Sequence, residues 1–181
     1  MPIREVIYIG DDRLRQRAKT VKQFGPGLKQ LVQNMLETMD HYDGVGLSAP
    51  QIGIMQRIFV AEIPATSDQD AEPHPQGGQT YVLINPSLVK ASDSIVEGEE
   101  GCLSIPNWRG LVGRPEWVEV KAQDVSGKRF KVKVDDLLAR IFMHEMDHLD
   151  GTLFVDHIKD REKLWELVPE ESEAGSLPAS Q

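Results

Sequence analysis

Apolar residues recur along one stretch of the chain at intervals that suit an α-helix. Leu28, Leu31, Val32, Met35, Leu36 and Met39 follow one another at 3, 4, 7, 8 and 11 residues, which places them on one side of a helix. Gly25-Pro26-Gly27 breaks the chain ahead of them. A second helical pattern runs from Asp135 to Gly151. Leu137, Ile141, His144 and His148 share a face there, and Leu138, Phe142, Glu145 and Leu149 form the neighbouring stripe. Asp135 is placed to cap the start and Gly151 to end it. Shorter helices are expected at Leu14 to Lys19, behind Asp11 and Asp12, and at Asp156 to Val168, where Pro169 stops the run. Arg57 to Ile63 and Thr80 to Ile84 read as strands. Trp117 to Ala122 and Arg129 to Val134 alternate around a turn at Asp124 to Lys128 and read as a hairpin. This order of elements predicts an α+β fold with mostly antiparallel sheets.

The polar stretches divide the chain further. Pro64 to Gln79 is rich in Asp, Pro, Gly and Gln and reads as a mobile surface loop, with His74 solvated inside it. His41 falls near the end of its helix, where an imidazolium suits the dipole, and receives no function. Gly44 to Gly53 holds three glycines and Pro50, so it reads as a connector that lets the backbone approach something closely. Residues 1–168 are expected to form one domain, and 169–181 an acidic, disordered tail.

Composition narrows the setting. The chain has 181 residues, enough for a sizeable core, and a net charge of -9 from 29 acidic and 20 basic residues. No basic cluster stands out, which argues against nucleic-acid binding. No apolar run suits a leader or a membrane span, and Cys102, the single cysteine, has no partner within the chain. These features lead us to expect a soluble protein of a reducing compartment, bacterial cytoplasm by default, with an organelle matrix as the alternative.

The chemistry gathers in His144-Glu145-Met146-Asp147-His148. Four residues make slightly more than one turn, so both imidazoles leave the same face, and that face points where leucines point. Buried imidazoles and a buried carboxylate are costly unless something satisfies them, and a metal ion does so. H-E-x-x-H suggests zinc-peptidase chemistry with Glu145 as general base. The form with a third helical histidine fails at Phe154, and His157 comes three residues too late. Glu166 and Glu170 are candidate downstream ligands, but they stand in a charge-rich, solvated segment. Cys102 is the better third donor, since a thiolate with two neutral imidazoles leaves one position open for water. A small buried hydrophobe is the commoner fate of a lone cysteine.

Three segments together resemble the peptide deformylases, metal hydrolases that remove formyl groups from nascent N-terminal methionine. They are Gly44-Val45-Gly46-Leu47-Ser48-Ala49-Pro50-Gln51, Glu100-Gly101-Cys102-Leu103-Ser104-Ile105-Pro106 and His144 to Gly151, and the likeness extends from about Val6 to Ile158. The resemblance implies antiparallel sheets packed around a central metal-binding helix. It implies that Cys102, His144 and His148 hold a divalent metal, Fe(II) by preference, with Zn(II), Ni(II) or Co(II) able to replace it. Glu145 would move the proton, and the Gln51 side chain and Leu103 N–H would stabilise the oxyanion. Val45, Gly46 and Gly101 would receive the substrate backbone. Val45, Leu137, Ile141 and His144 would line the methionine pocket with Glu100 at its edge, and Arg109 would meet later residues. The implied partner is the nascent formyl-methionyl polypeptide, met by a monomer or weak oligomer near the ribosome.

Several positions depart from the family's pattern. Arg140 stands where some members place an apolar pocket residue, and Met143 replaces a frequent glutamine. The Pro64 to Gln79 loop is long. Glu166, Glu170, Glu171 and Glu173 occupy a tail that is basic and docks on the ribosome in some members. Two other functions remain compatible with the motif, a metallopeptidase and a non-catalytic protein with a structural metal.

Overall fold

The structure is a computed structural model, and it describes residues 3–65 and 73–168. The first predicted helix forms as α1, Pro26–His41, with proline in its first turn and Leu28, Val32, Met35 and Met39 buried. The connector after it contains a short strand, β1 at Gly46–Ser48, and a 3₁₀ turn at Ala49–Ile52. The strands β2 at Ile58–Glu62 and β3 at Thr80–Ala91 follow. Next come β4 at Ile95–Cys102, β5 at Ile105–Pro115, β6 at Trp117–Gln123 and β7 at Arg129–Asp135. The histidine helix α2 spans Asp136–Leu149, and β8 spans Leu164–Glu166.

Two sheets result. One has five strands in the order β1-β2-β3-β6-β7 and the other has three in the order β4-β5-β8. Every named pair is antiparallel, as the sequence predicts. The run Ile58 to Ala61 explains how the helices are placed. Ile58 and Val60 join Val32, Met35 and Met39 of α1, whereas Phe59 and Ala61 join Leu138 and Phe142 of α2. Successive side chains leave opposite faces of a strand, so β2 is covered on both sides and reads as a continuous apolar run. The three-stranded sheet makes a third cluster in which Cys102, Ile105 and Val112 pack on Leu153 and Phe154.

The structure overturns several local expectations. Leu14 to Lys19 is not a helix. A 3₁₀ turn at Asp12–Arg15, capped by the Asp11 carboxylate, gives way to extended chain because the Ala18 N–H donates to Leu149 at the end of α2. Asp156 to Val168 is not a helix either. Its backbone makes two 3₁₀ turns and then β8, which pairs Leu164, Trp165 and Glu166 with Gly110, Arg109 and Trp108. The exposed edge of β5 outweighs a weak local helical preference. The long β4–β5 hairpin has no alternating apolar signature, since Glu97, Glu99 and exposed Val96 interrupt it. Asp135 makes no capping bond and accepts instead from the Gln76 side chain. His74 is half-buried, and its Nδ1 accepts the Gln76 N–H at 3.1 Å. Residues 66–72 of the expected loop and the tail at 169–181 lie outside the described residues. No helix among the described residues is long and apolar enough to cross a membrane.

Gly151 ends α2 in the left-handed region, at φ 77, and a Cβ there would lie 2.5 Å from the Arg15 carbonyl oxygen. Both the backbone angle and the contact oppose any side chain. Gly151→Ala is expected to lower unfolding free energy by about 1–3 kcal/mol in urea titration. Unchanged stability would show that the 3₁₀ turn ending at Arg15 yields freely.

Candidate metal centre

The helix α2 delivers His144 and His148 one turn apart, both buried, with ring centroids 5.0 Å apart. Cys102 is the last residue of β4, where pairing with β5 jumps from Gly101–Arg109 to Cys102–Ile105. That register break carries the chain into a tight turn, and the thiol faces α2. Cys102 Sγ lies 3.3 Å from His148 Nε2, and one donor atom from each of the three residues falls within 4.8 Å of the others. A tetrahedral centre with bonds of about 2.3 Å to sulfur and 2.0–2.1 Å to nitrogen sets S and N about 3.5 Å apart. The Cys102–His148 separation fits. Among the described residues this is the only such cluster of His, Cys and acidic groups. A thiolate and two imidazoles suit a borderline or soft divalent cation.

Behind the donors lies a buried ionic network. His144 Nδ1 is 2.9 Å from Glu100 Oε2, which leaves Nε2 for a cation. Arg114 grips Glu100 with two bonds, Nε to Oε1 at 2.8 Å and Nη2 to Oε2 at 3.0 Å. Arg140 adds a third cationic contact at 3.1 Å. Arg114 Nη1 continues to Asp147 at 2.7 Å, where His157 Nε2 also meets the carboxylate at 2.7 Å. Burial alone would raise the Glu100 pKa, but His144 and Arg114 outweigh it and hold the group down at about 2. Burial also opposes charge on His144, yet the bonds to Cys102 and Glu100 raise its pKa well above the usual value. His148 moves the other way, because burial is joined by repulsion from a charged His144 and from Arg114. A cation bound by the three donors would take the place of the His144 proton.

Glu145 points to the same place but is not a donor of the cluster. Burial raises its pKa to about 7, against a partly opposing attraction from His144. Its Oε2 is buried without a hydrogen-bond partner among the described residues. Gly46 makes room for the carboxylate, since a Cβ there would lie 2.4 Å from Glu145 Oε1. Gln51 is oriented just as firmly. Its Oε1 accepts from the Ser48 N–H at 2.8 Å and from Ser48 Oγ at 2.9 Å, and a backbone N–H can only donate. Its Nε2 therefore faces Cys102 Sγ at 3.6 Å.

A cavity of about 420 Å³ opens onto this cluster. It brings together nearly every candidate from the sequence. Val45, Gly46 and Gln51 line one wall, Gly101, Cys102, Leu103 and Arg109 another, and Leu137, Ile141, His144 and Glu145 come from α2. His148 sits behind Cys102. Glu100 borders the cavity, and Arg114, Arg140 and His144 occupy its oxygens, so at that edge it also supports a candidate ligand. Arg140 is likewise not free. It reaches past Gly98 to the carbonyls of Val96 and Val112, at 2.7 and 2.6 Å, and ties α2 to the β4–β5 hairpin. Tyr8 and Tyr42 also line the cavity and were not foreseen. Nor was Arg114, although it shares the buried alternation of β5 with Gly110 and Val112, where a charge needs an explanation.

A family model described as polypeptide deformylase matches residues 3–164. A peptide deformylase from Thermomicrobium roseum is 44% identical over 173 residues, covering 96% of this chain and 95% of the relative. One from Roseiflexus castenholzii is 46% identical, covering 89% of each. Among solved structures, the peptide deformylase of Thermotoga maritima superposes with a TM-score of 0.79 at 37% identity, covering 88% of this chain and all of that one. The Synechococcus elongatus peptide deformylase, solved with actinonin, superposes with a TM-score of 0.80 at 40% identity, covering 90% and 82%.

Removing the acid behind His144 is expected to loosen the centre. Glu100→Gln should weaken metal affinity by about 10–100-fold in a competitive chelator titration. Affinity equal to that of the unmodified protein would show that His144 needs no such support.

Proposed function

This chain belongs to the peptide deformylase family, and we propose that Cys102, His144 and His148 hold the divalent metal with which it removes N-terminal formyl groups from newly made polypeptides. The observation that carries these assignments is a cysteine–histidine–histidine cluster beside a buried, unpartnered glutamate oxygen, at a cavity large enough for a methionine side chain. Fe(II) is the proposed ion, with Zn(II), Ni(II) or Co(II) as substitutes. When bound, the cation supplies Lewis-acid chemistry, making a water molecule more acidic and polarising the formyl oxygen.

Glu145 moves the proton. Buried beside the donors with its Oε2 unpartnered among the described residues, it can take a proton from the attacking water and return it to the departing amine. The formyl oxygen gathers negative charge as the carbon is attacked. Gln51 Nε2 and the Leu103 N–H are the proposed donors to it, and Ser48 has already fixed the Gln51 amide in place. Collapse breaks the C–N bond and releases formate and a free α-amine.

The walls explain why the substrate need not have one sequence. β1 is an edge strand of the five-stranded sheet and β4 an edge strand of the three-stranded sheet, and both border the cavity. A peptide laid between Val45–Gly46 and Gly101 can bond through its main chain. Leu137, Ile141, Val45 and the face of His144 offer an apolar pocket for methionine. Arg109, with its guanidinium packed over Gly101 and 3.7 Å from Glu99, is placed to meet later residues. The proposed partner is the nascent formyl-methionyl chain in bacterial cytoplasm, reached without ribosome docking through the acidic 169–181 segment.

Formate release from a formyl-methionyl peptide, assayed without oxygen alongside metal analysis of the same sample, tests the reading. Cleavage of unformylated peptides with no formate would overturn it. Glu145→Ala is expected to keep its metal and lose turnover. Cys102→Ala should lose tight metal binding, and full occupancy in that variant would remove Cys102 from the ligand set. Gln51→Ala is expected to lower kcat by about 10²–10³.

A further inference from the structure

On the deformylase reading, we propose that the N-terminal segment Ile7–Ile9 is a strap that positions both oxyanion donors through its backbone N–H groups. The Ile7 N–H donates to the Gln51 carbonyl at 2.8 Å, and the Ile9 N–H donates to the Ser104 carbonyl at 2.8 Å. The two acceptors belong to the segments that carry the donors: Gln51 itself, and Ser104, the neighbour of Leu103 in the β4–β5 turn. Those segments lie in different sheets, since β1 leads into the Gln51 turn and β4–β5 belongs to the three-stranded sheet. Their side chains meet, with Gln51 Nε2 3.4 Å from Ser104 Oγ and both residues buried. The strap joins the two backbones across that contact. Tyr8, between the two anchors, lines the cavity itself.

Donors to a developing oxyanion act because they are held in place before the charge appears. A displacement of about 1 Å can cost about 10²-fold in rate. A strap that ties Gln51 and Ser104 to one short segment limits such displacement. Ile9 is an exposed residue, and its N–H is the contact by which it holds Ser104. It is therefore a positioning residue that touches no reacting atom.

The local turn allows a clean test. Tyr8 to Asp11 is closed by the Asp11 N–H to the Tyr8 carbonyl at 3.1 Å, with Gly10 at φ 104. A turn with a positive φ at its third residue accepts proline at its second, which here is Ile9. Ile9→Pro thus deletes the N–H and suits the turn. We expect kcat on a formyl-methionyl peptide to fall about tenfold, less than the 10²–10³ lost with a whole donor, while KM and bound metal stay unchanged. Ile9→Ala keeps the N–H and should rescue kcat. In the zinc-loaded protein, the Gln51 side-chain amide resonance should broaden or shift in Ile9→Pro and not in Ile9→Ala. If Ile9→Pro fails to fold, a 2-hydroxy acid placed at position 9 by semisynthesis removes the same donor. An unchanged kcat, or a fall matched by lost metal, would overturn the strap. Absence of formate release by the unmodified protein would sink the deformylase reading alone, because the Gln51 resonance reads the strap without turnover.

Discussion

The bidentate grip of Arg114 on Glu100, with Arg140 and His144 completing the carboxylate's contacts, is the constraint on which the site depends. Glu100 stands on β4, Arg114 on β5, and Arg140 and His144 on α2. One buried anion therefore joins the three-stranded sheet to the helix that carries the histidines. Such a pair is poor evidence of stability by itself, since removing two charges from water is costly. Its effect here is geometric. With both oxygens occupied, Glu100 turns the His144 ring so that Nδ1 faces the protein and Nε2 faces Cys102 and His148.

The two sheets meet at this site without sharing a strand. α2 lies between them and presents one stripe to each task. Leu138, Phe142 and Leu149 pack on the five-stranded sheet, where Phe142 meets the Phe59 and Tyr81 rings edge-on at 5.2 and 5.4 Å. The neighbouring face carries the histidines to the β4–β5 turn. The gap left between edge strands β1 and β4 is the cavity. Its chemistry is ordered by close approach as much as by charge. Gly46 admits Glu145, Gly101 admits Arg109, and Gly98 admits the Arg140 guanidinium. Each glycine lets a functional group cross a strand where a Cβ would collide.

The metal motif was legible because its information is local. H-E-x-x-H sets two imidazoles on one helical face wherever that helix lies, and Leu137, Ile141, Phe142 and Leu149 declared that the face was buried. The period-two pattern likewise marked β6 and β7, and the antiparallel class followed from their hairpin. Cys102 could be ranked as the third donor by excluding Phe154 and His157, and family resemblance supported it. The resemblance places Glu100 at the pocket edge, and nothing local shows that Arg114, 14 residues away, also grips it.

What only the tertiary structure decided involves pairs of groups remote in sequence. The segment at Leu164–Glu166 is a strand because β5 offers it an open edge, not because its residues prefer that state. Ala18 is extended because the end of α2 has a carbonyl to satisfy. Ile9 and Ser104 meet only once both sheets are in place. Periodicity and capping report how a residue relates to neighbours within a turn or two. Hydrogen-bond and ion-pair partners brought together by folding leave no such period. The sequence alone thus singled out Cys102, His144 and His148 as candidate donors and determined the class of fold, while the fold decided how each candidate is aimed.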